Sequence, residues 1–144
     1  MGDNSDCQNT KSNYAVIHAC KTCHQKTLGY QSRLHQTDPN YLIYEIEDNL
    51  YLNIVDMPTE QKAIYIHPIM KKSIKFINKH IDTKNILIHC NHGKSRSPSI
   101  ALVYLAHKNI IFNNAFDEAK NNFIDIFPNY LPNTGIELYL QKNW

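Results

Sequence analysis

Polar and apolar positions divide this chain into recognisable elements. Residues 1–13 are polar and patternless and read as a loose, flexible arm ahead of a single domain over residues 14–144. Tyr14-Ala-Val-Ile-His-Ala-Cys20 is a short β-prone run, and the polar stretch that follows, up to Asn40, reads mostly as loop. Tyr41 to Ile46 and Leu50 to Val55 are two β-branched or aromatic runs separated by a short polar turn, the pattern of a β-hairpin. Beyond Asp56-Met-Pro58 the period changes. Ile66, Ile69, Met70, Ile74, Ile77 and Ile81 recur at spacings of three and four, which predicts an amphipathic helix with Pro68 in its first turn.

Ile86-Leu-Ile88 is too short for a helix and apolar throughout, as expected of a strand covered on both faces. Pro98 opens a run from Ser99 to His107 that is apolar almost all round and predicts a buried helix. Asn113 or Asn114 caps a further helix through about Phe127, and Asn133 to Lys142 forms a last short one. Strands and helices that alternate in the middle, with helices alone at the end, predict an α/β fold: a single central, mostly parallel sheet flanked by helices.

Composition narrows the function. At 144 residues and 42% hydrophobic content the chain has the size of one cored domain. Lys and Arg number 15 against 13 Asp and Glu, and a net charge of +2 argues against bulk nucleic-acid binding, so any anion site must be local. No apolar run is long enough for a signal peptide or a membrane span, and the expected location is the cytoplasm. The start Met1-Gly2 invites a myristoylation reading, but Asp6 stands where that motif wants Ser or Thr.

One segment concentrates chemistry. His89-Cys-Asn-His-Gly-Lys-Ser-Arg-Ser97 places a cysteine at the end of a buried strand and an arginine six residues later, at the start of a buried helix. Ligands favour that edge of an α/β sheet. In a chain of this composition, Cys-x5-Arg with Gly at the third position arises by chance at a rate of about 0.002. A strand–loop–helix of this length curls so that the amides of Asn91, His92, Gly93, Lys94, Ser95 and Arg96 point inward, at the positive end of the helix dipole. Phosphate fits such a cradle. Arg96 supplies a bidentate donor that lysine would not reproduce, and the same field lowers the pKa of Cys90 and readies it as a nucleophile.

This signature resembles that of the cysteine-dependent phosphatases, specifically the compact dual-specificity branch. The similarity runs from about Leu50 to Leu140 and includes a strand ending in Asp56, the signature, an apolar helix with Tyr104-Leu105, and a late Pro132-Asn133. Val16-Ile-His-Ala-Cys-Lys21 with Asn49-Leu-Tyr-Leu-Asn53 is similar instead to a small bacterial or phage subgroup. The resemblance implies the compact dual-specificity phosphatase fold and a two-step displacement through a phosphocysteine on Cys90. It implies Arg96 and the loop amides as phosphate ligands, Asp56 as general acid and then base, Ser97 as hydrogen-bond donor to the sulfur, and His89 as a support of the loop. It implies no metal and no cofactor, and as substrate a phosphorylated protein carrying phosphotyrosine and phosphoserine or phosphothreonine. His92 and Lys94 depart from the usual small and apolar residues, and a lysine at the rim resembles phosphatases of phosphoinositides. Cys-Asn-His-Gly is also similar to the RNA 5′-triphosphatase branch, although Ser97-Pro98 follows the arginine here in place of Thr-Gly. A missing acid would leave a catalytically silent phosphate-binding module.

Three further patterns compete for attention. Cys20-Lys-Thr-Cys23-His24 has the spacing of covalent haem attachment, but nothing in the sequence marks the chain for export. Cys20 and Cys23 also suit a structural zinc site with two of Cys7, His18, His24 or His35, against ordinary reduced thiols as the default. Finally, His18, Lys21, Lys26, Arg33 and His35 read either as a solvated loop or as part of a substrate-recognition wall.

Overall fold

The computed structural model describes residues 1–144. Its elements in chain order are α1 (Asn4–Gln8), β1 (Tyr14–His18), α2 (Lys21–Leu28), β2 (Ile43–Ile46), β3 (Asn49–Leu52), α3 (Ala63–His80), β4 (Asn85–His89), α4 (Arg96–His107), α5 (Phe116–Ile126) and α6 (Thr134–Asn143). The four strands form one sheet in the order β2-β3-β1-β4. β1 is parallel to both β3 and β4, and only the β2–β3 hairpin is antiparallel, so the sheet is mostly parallel as the periodicity predicts.

Register sorts the side chains between two faces, because successive residues of a strand point to opposite sides. Ile17 pairs with Leu50 on one side and Ile88 on the other, and all three join the large core cluster with Ile69, Phe76 and Leu102. That face is covered by α3 and α4. The opposite face carries His18, paired with Tyr51 and His89. It has little apolar cover: α1 has no buried residue, and α2 buries only His24.

Two stretches differ from the sequence expectation. The expected loose arm contains helix α1, N-capped by Asp3 in a capping box, and Gly2 forms a parallel bridge to His89. The stretch expected to be loop contains α2, ended by Gly29 in the left-handed region at φ 74°. Neither helix has the apolar stripe that would announce it. Pro68 lies in the second turn of α3 and not in its first, because the helix begins at Ala63. Lacking an N–H, it gives no bond to the carbonyl of Ile64. No helix is long and apolar enough to cross a membrane.

Candidate active site

β4 ends at His89 and α4 begins at Arg96, so the loop 90–95 between them must reverse direction within a few residues. Gly93 makes that possible at φ 68°. A side chain there would also collide with the chain's own N-terminal backbone, since a Cβ would meet the Gly2 carbonyl carbon and oxygen at 3.1 Å. Gly2 runs beside the loop: its N–H donates to the Ile88 carbonyl at 2.9 Å and its carbonyl accepts from Cys90 at 3.2 Å. The amides of Asn91, His92, Gly93, Lys94 and Ser95 donate to no backbone carbonyl, which leaves them for an anion.

Cys90 is buried at 1% exposure. Ser97 Oγ donates to its Sγ at 3.2 Å. Burial opposes ionisation of the thiol, but the Ser97 hydroxyl and amide, the Arg96 guanidinium and the His92 amide outweigh it and hold the pKa below its ordinary value. The thiolate is favoured where a nucleophile is needed. Arg96 is buried too, with Nη1 donating to the Ile54 carbonyl at 3.2 Å. Its Nε is buried without a hydrogen-bond partner, 3.7 Å from Asp56 Oδ2. One edge of the guanidinium is therefore fixed by the protein, while a donor remains for a ligand.

Asp56 follows β3 and lines the same open cavity of about 530 Å³ as Cys90, Asn91, His92, Lys94 and Ser95. Ser95 Oγ donates to Asp56 Oδ1 at 2.9 Å and accepts from the Asn133 amide at 3.0 Å. The structure thus brings Cys90, Ser97, Arg96 and Asp56 together around the loop. His92 and Lys94 are exposed at the rim, and His89 is buried beneath the loop. Burial and the neighbouring His18 push the His89 pKa down to about 4, so its imidazole is neutral.

This arrangement pairs a sulfur nucleophile with an anion cradle and a carboxyl group on the opposite wall. The family model for the catalytic domain of dual specificity phosphatases matches residues 7–133. The chain belongs to that family. A probable dual specificity protein phosphatase of Dictyostelium discoideum is 27% identical over 143 residues, covering 94% of this chain. The phosphatase domain described here spans only 31% of that relative's length. Among solved structures, the human tyrosine phosphatase-like serine/threonine/tyrosine-interacting protein aligns with a TM-score of 0.62 at 18% identity, covering 97% of this chain and 83% of that one. The Yvh1 phosphatase domain of Chaetomium thermophilum aligns with a TM-score of 0.56 at 22% identity, covering 92% and 77%. These likenesses agree with the dual specificity phosphatase fold expected from the resemblance.

Several contacts escaped the sequence reading. The roles of Ser95 and Asn133 in tethering Asp56 had no local signal, because the partners are 39 and 38 residues apart. Asp3 lines the cavity, although nothing in its polar surroundings pointed there. One competing pattern is corrected. His24 Nε2 donates to the Asn40 carbonyl at 2.9 Å and Nδ1 accepts from the Tyr30 hydroxyl at 2.8 Å, so this buried ring has no free nitrogen for a haem iron or for zinc. Of the cluster read as solvated loop or recognition wall, His18 is buried, while Lys21 and Arg33 line a neighbouring cavity with Val55 and Met57, the residues flanking Asp56.

Proposed function

We propose that this domain is a phosphomonoester hydrolase working through a phosphocysteine, and that its substrates are phosphotyrosine and phosphoserine or phosphothreonine in proteins. The observation that carries the reading is the Ser97 hydroxyl on the sulfur of Cys90, at the floor of a loop whose amides donate to no backbone carbonyl. The Cys90 thiolate attacks phosphorus in line, forming the S–P bond as the P–O bond to the leaving group breaks. The loop amides and Arg96 hold the equatorial oxygens as charge develops on them. Asp56 gives a proton to the departing oxygen, then takes one from the water that attacks the phosphocysteine. The sulfur leaves as thiolate, stabilised by Ser97.

No step in this scheme uses a metal or cofactor. Four free cysteines suit a reducing compartment, and we assign the domain to the cytoplasm. A second reading has one specific support: Lys94 is exposed at the mouth of the cavity, where its ammonium group favours phosphoinositides or RNA 5′-phosphates. A panel of phosphopeptides, short-chain inositol phospholipids and 5′-phosphorylated RNA separates the two. The proposal expects the highest kcat/KM on phosphopeptides. Preference for either of the other classes assigns the substrate to the second reading, and no hydrolysis of any would make the domain a silent binding module.

A further inference from the structure

The sheet face opposite the main core gathers side chains that the hydrolytic scheme does not use. Cys7 Sγ lies 3.5 Å from His18 Nδ1, and His89 Nε2 lies 2.8 Å from the same His18 nitrogen. The ligand atoms of Cys7, His18 and His89 fall within 4.8 Å of one another, as do those of Cys20, Cys23 and His89. His89 is common to both groups. Four separate chain segments supply these residues: α1, the end of β1, the first turn of α2, and the end of β4.

We propose that this cluster is a structural site for a zinc-type divalent cation, bound by the thiolates of Cys7, Cys20 and Cys23 and by an imidazole nitrogen of the His18–His89 pair. Softness fits, and the two groups of ligand atoms meet at His89. Three sulfurs and one nitrogen are a common structural Zn²⁺ ligand set, and Cys-x2-Cys is a common half of such sites. Tetrahedral bonds of roughly 2.3 Å to sulfur and 2.0–2.1 Å to nitrogen put those two atoms about 3.5 Å apart, close to the Cys7–His18 separation. The second shell is also in place. Asn49 Oδ1 accepts from His18 Nε2 at 3.0 Å, which leaves Nδ1 unprotonated; it accepts from His89 Nε2 at 2.8 Å and lies 3.5 Å from Cys7 Sγ. His89 Nδ1 is buried without any partner, so the pair is incompletely satisfied by the protein alone.

The fold gives the cation a purpose. α1 and α2 bury almost nothing apolar, and helices this short have little stability of their own. A metal crosslink would fasten both helices to β1 and β4, as disulfides or metals do where a core is thin. Because His89 immediately precedes Cys90, the same crosslink would anchor the strand end from which the phosphate loop springs. Each coordinating thiol releases its proton to solvent, and no oxidation is involved.

Cobalt titration of the full chain, stripped by a chelator and kept reduced with a phosphine, tests the site without reference to activity. One equivalent of Co²⁺ per chain should give visible bands of tetrahedral cobalt and a thiolate charge-transfer band, both erased by one equivalent of Zn²⁺. Cys7→Ser and Cys23→Ser should each weaken binding on the order of 100-fold or more, whereas Cys90→Ser should leave the spectrum unchanged. Should the cysteine variants misfold, zinc-edge X-ray absorption on the unmutated chain must show three sulfurs and one nitrogen. Absence of the bands, their loss in Cys90→Ser, or an oxygen-dominated shell would overturn the proposal.

Discussion

Ser95 Oγ donates to Asp56 Oδ1 at 2.9 Å while accepting the Asn133 amide at 3.0 Å, so one hydroxyl ties the phosphate loop to the carboxyl group across the cavity and to the segment before α6. Ser95 is in this account a positioning residue for the acid. Ser95→Ala should lower kcat on alkyl phosphates, whose leaving groups need a proton, by about tenfold. On activated aryl phosphates the change should be small, and Ser95→Thr should restore much of the loss. Equal losses on both substrate types would mean that Ser95 acts on the cradle and not through Asp56.

The Ser97 hydroxyl, 3.2 Å from the Cys90 sulfur, favours the thiolate both before attack and on departure. Without it the pKa of Cys90 rises towards its ordinary value, so Ser97→Ala should be alkylated more slowly by iodoacetamide at neutral pH. Breakdown of the phosphocysteine should slow by about tenfold to a hundredfold, visible as a burst of aryl alcohol before a slower steady state. A variant with wild-type alkylation and no burst would contradict this role.

Arg96 spends one nitrogen on the Ile54 carbonyl, and its Nε has no hydrogen-bond partner and lies 3.7 Å from Asp56 Oδ2. Arg96→Ala should reduce kcat/KM by about 10²–10³, and Arg96→Lys should recover little, since an ammonium does not reproduce two parallel donors. Protection of Cys90 from alkylation by orthovanadate should weaken in both. Recovery of most activity by lysine would show that charge alone is required there.

Acid stability should report the clamp between the hairpin and α3. Glu45 accepts from Lys72 at 2.5 Å and from Lys79 at 2.9 Å. Burial raises the Glu45 pKa, but the two ammonium groups outweigh it and hold the value below the ordinary 4.5. A depressed native pKa stabilises the fold above the unfolded value, and the contribution is lost as pH falls through the native one. Glu45→Gln should therefore cost about 1 kcal/mol at pH 7, the scale of partly exposed pairs. Urea midpoints of the two proteins should converge well below pH 4.5; a constant difference across that range would assign the loss to packing.

How much of this was visible beforehand depended on whether a residue's neighbours in sequence are also its neighbours in space. β4, its loop and α4 are contiguous, and the continuous apolar character of Ile86-Leu-Ile88 and of the helix after Pro98 exposes both flanks. Cys90, Arg96 and Ser97 were legible for that reason. Asp56 was legible only through the family resemblance, and the strand expected to end in it stops at Leu52. The helices α1 and α2 were not, since a helix without an apolar stripe looks like loop. Packing of Gly2 on Gly93 arises only when the N-terminal segment bridges to β4, and alignment of His18 with His89 only when β1 pairs with β4, joining residues 71 positions apart. Cys20 and Cys23 showed half a metal site in the sequence. The other half lay in α1 and β4, and His24, the histidine next in line, turned out to be fully engaged elsewhere.

The central claim is that the Cys90 sulfur forms a bond to phosphorus. Rapid acid quenching during turnover of an aryl phosphate, followed by mass spectrometry of the digested chain, should find one phosphoryl group on the peptide containing Cys90. The adduct should accumulate in Ser97→Ala and be absent in Cys90→Ser, which should also lack turnover. Hydrolysis that persists in Cys90→Ser, or a phosphoryl group on any other residue, would contradict the account.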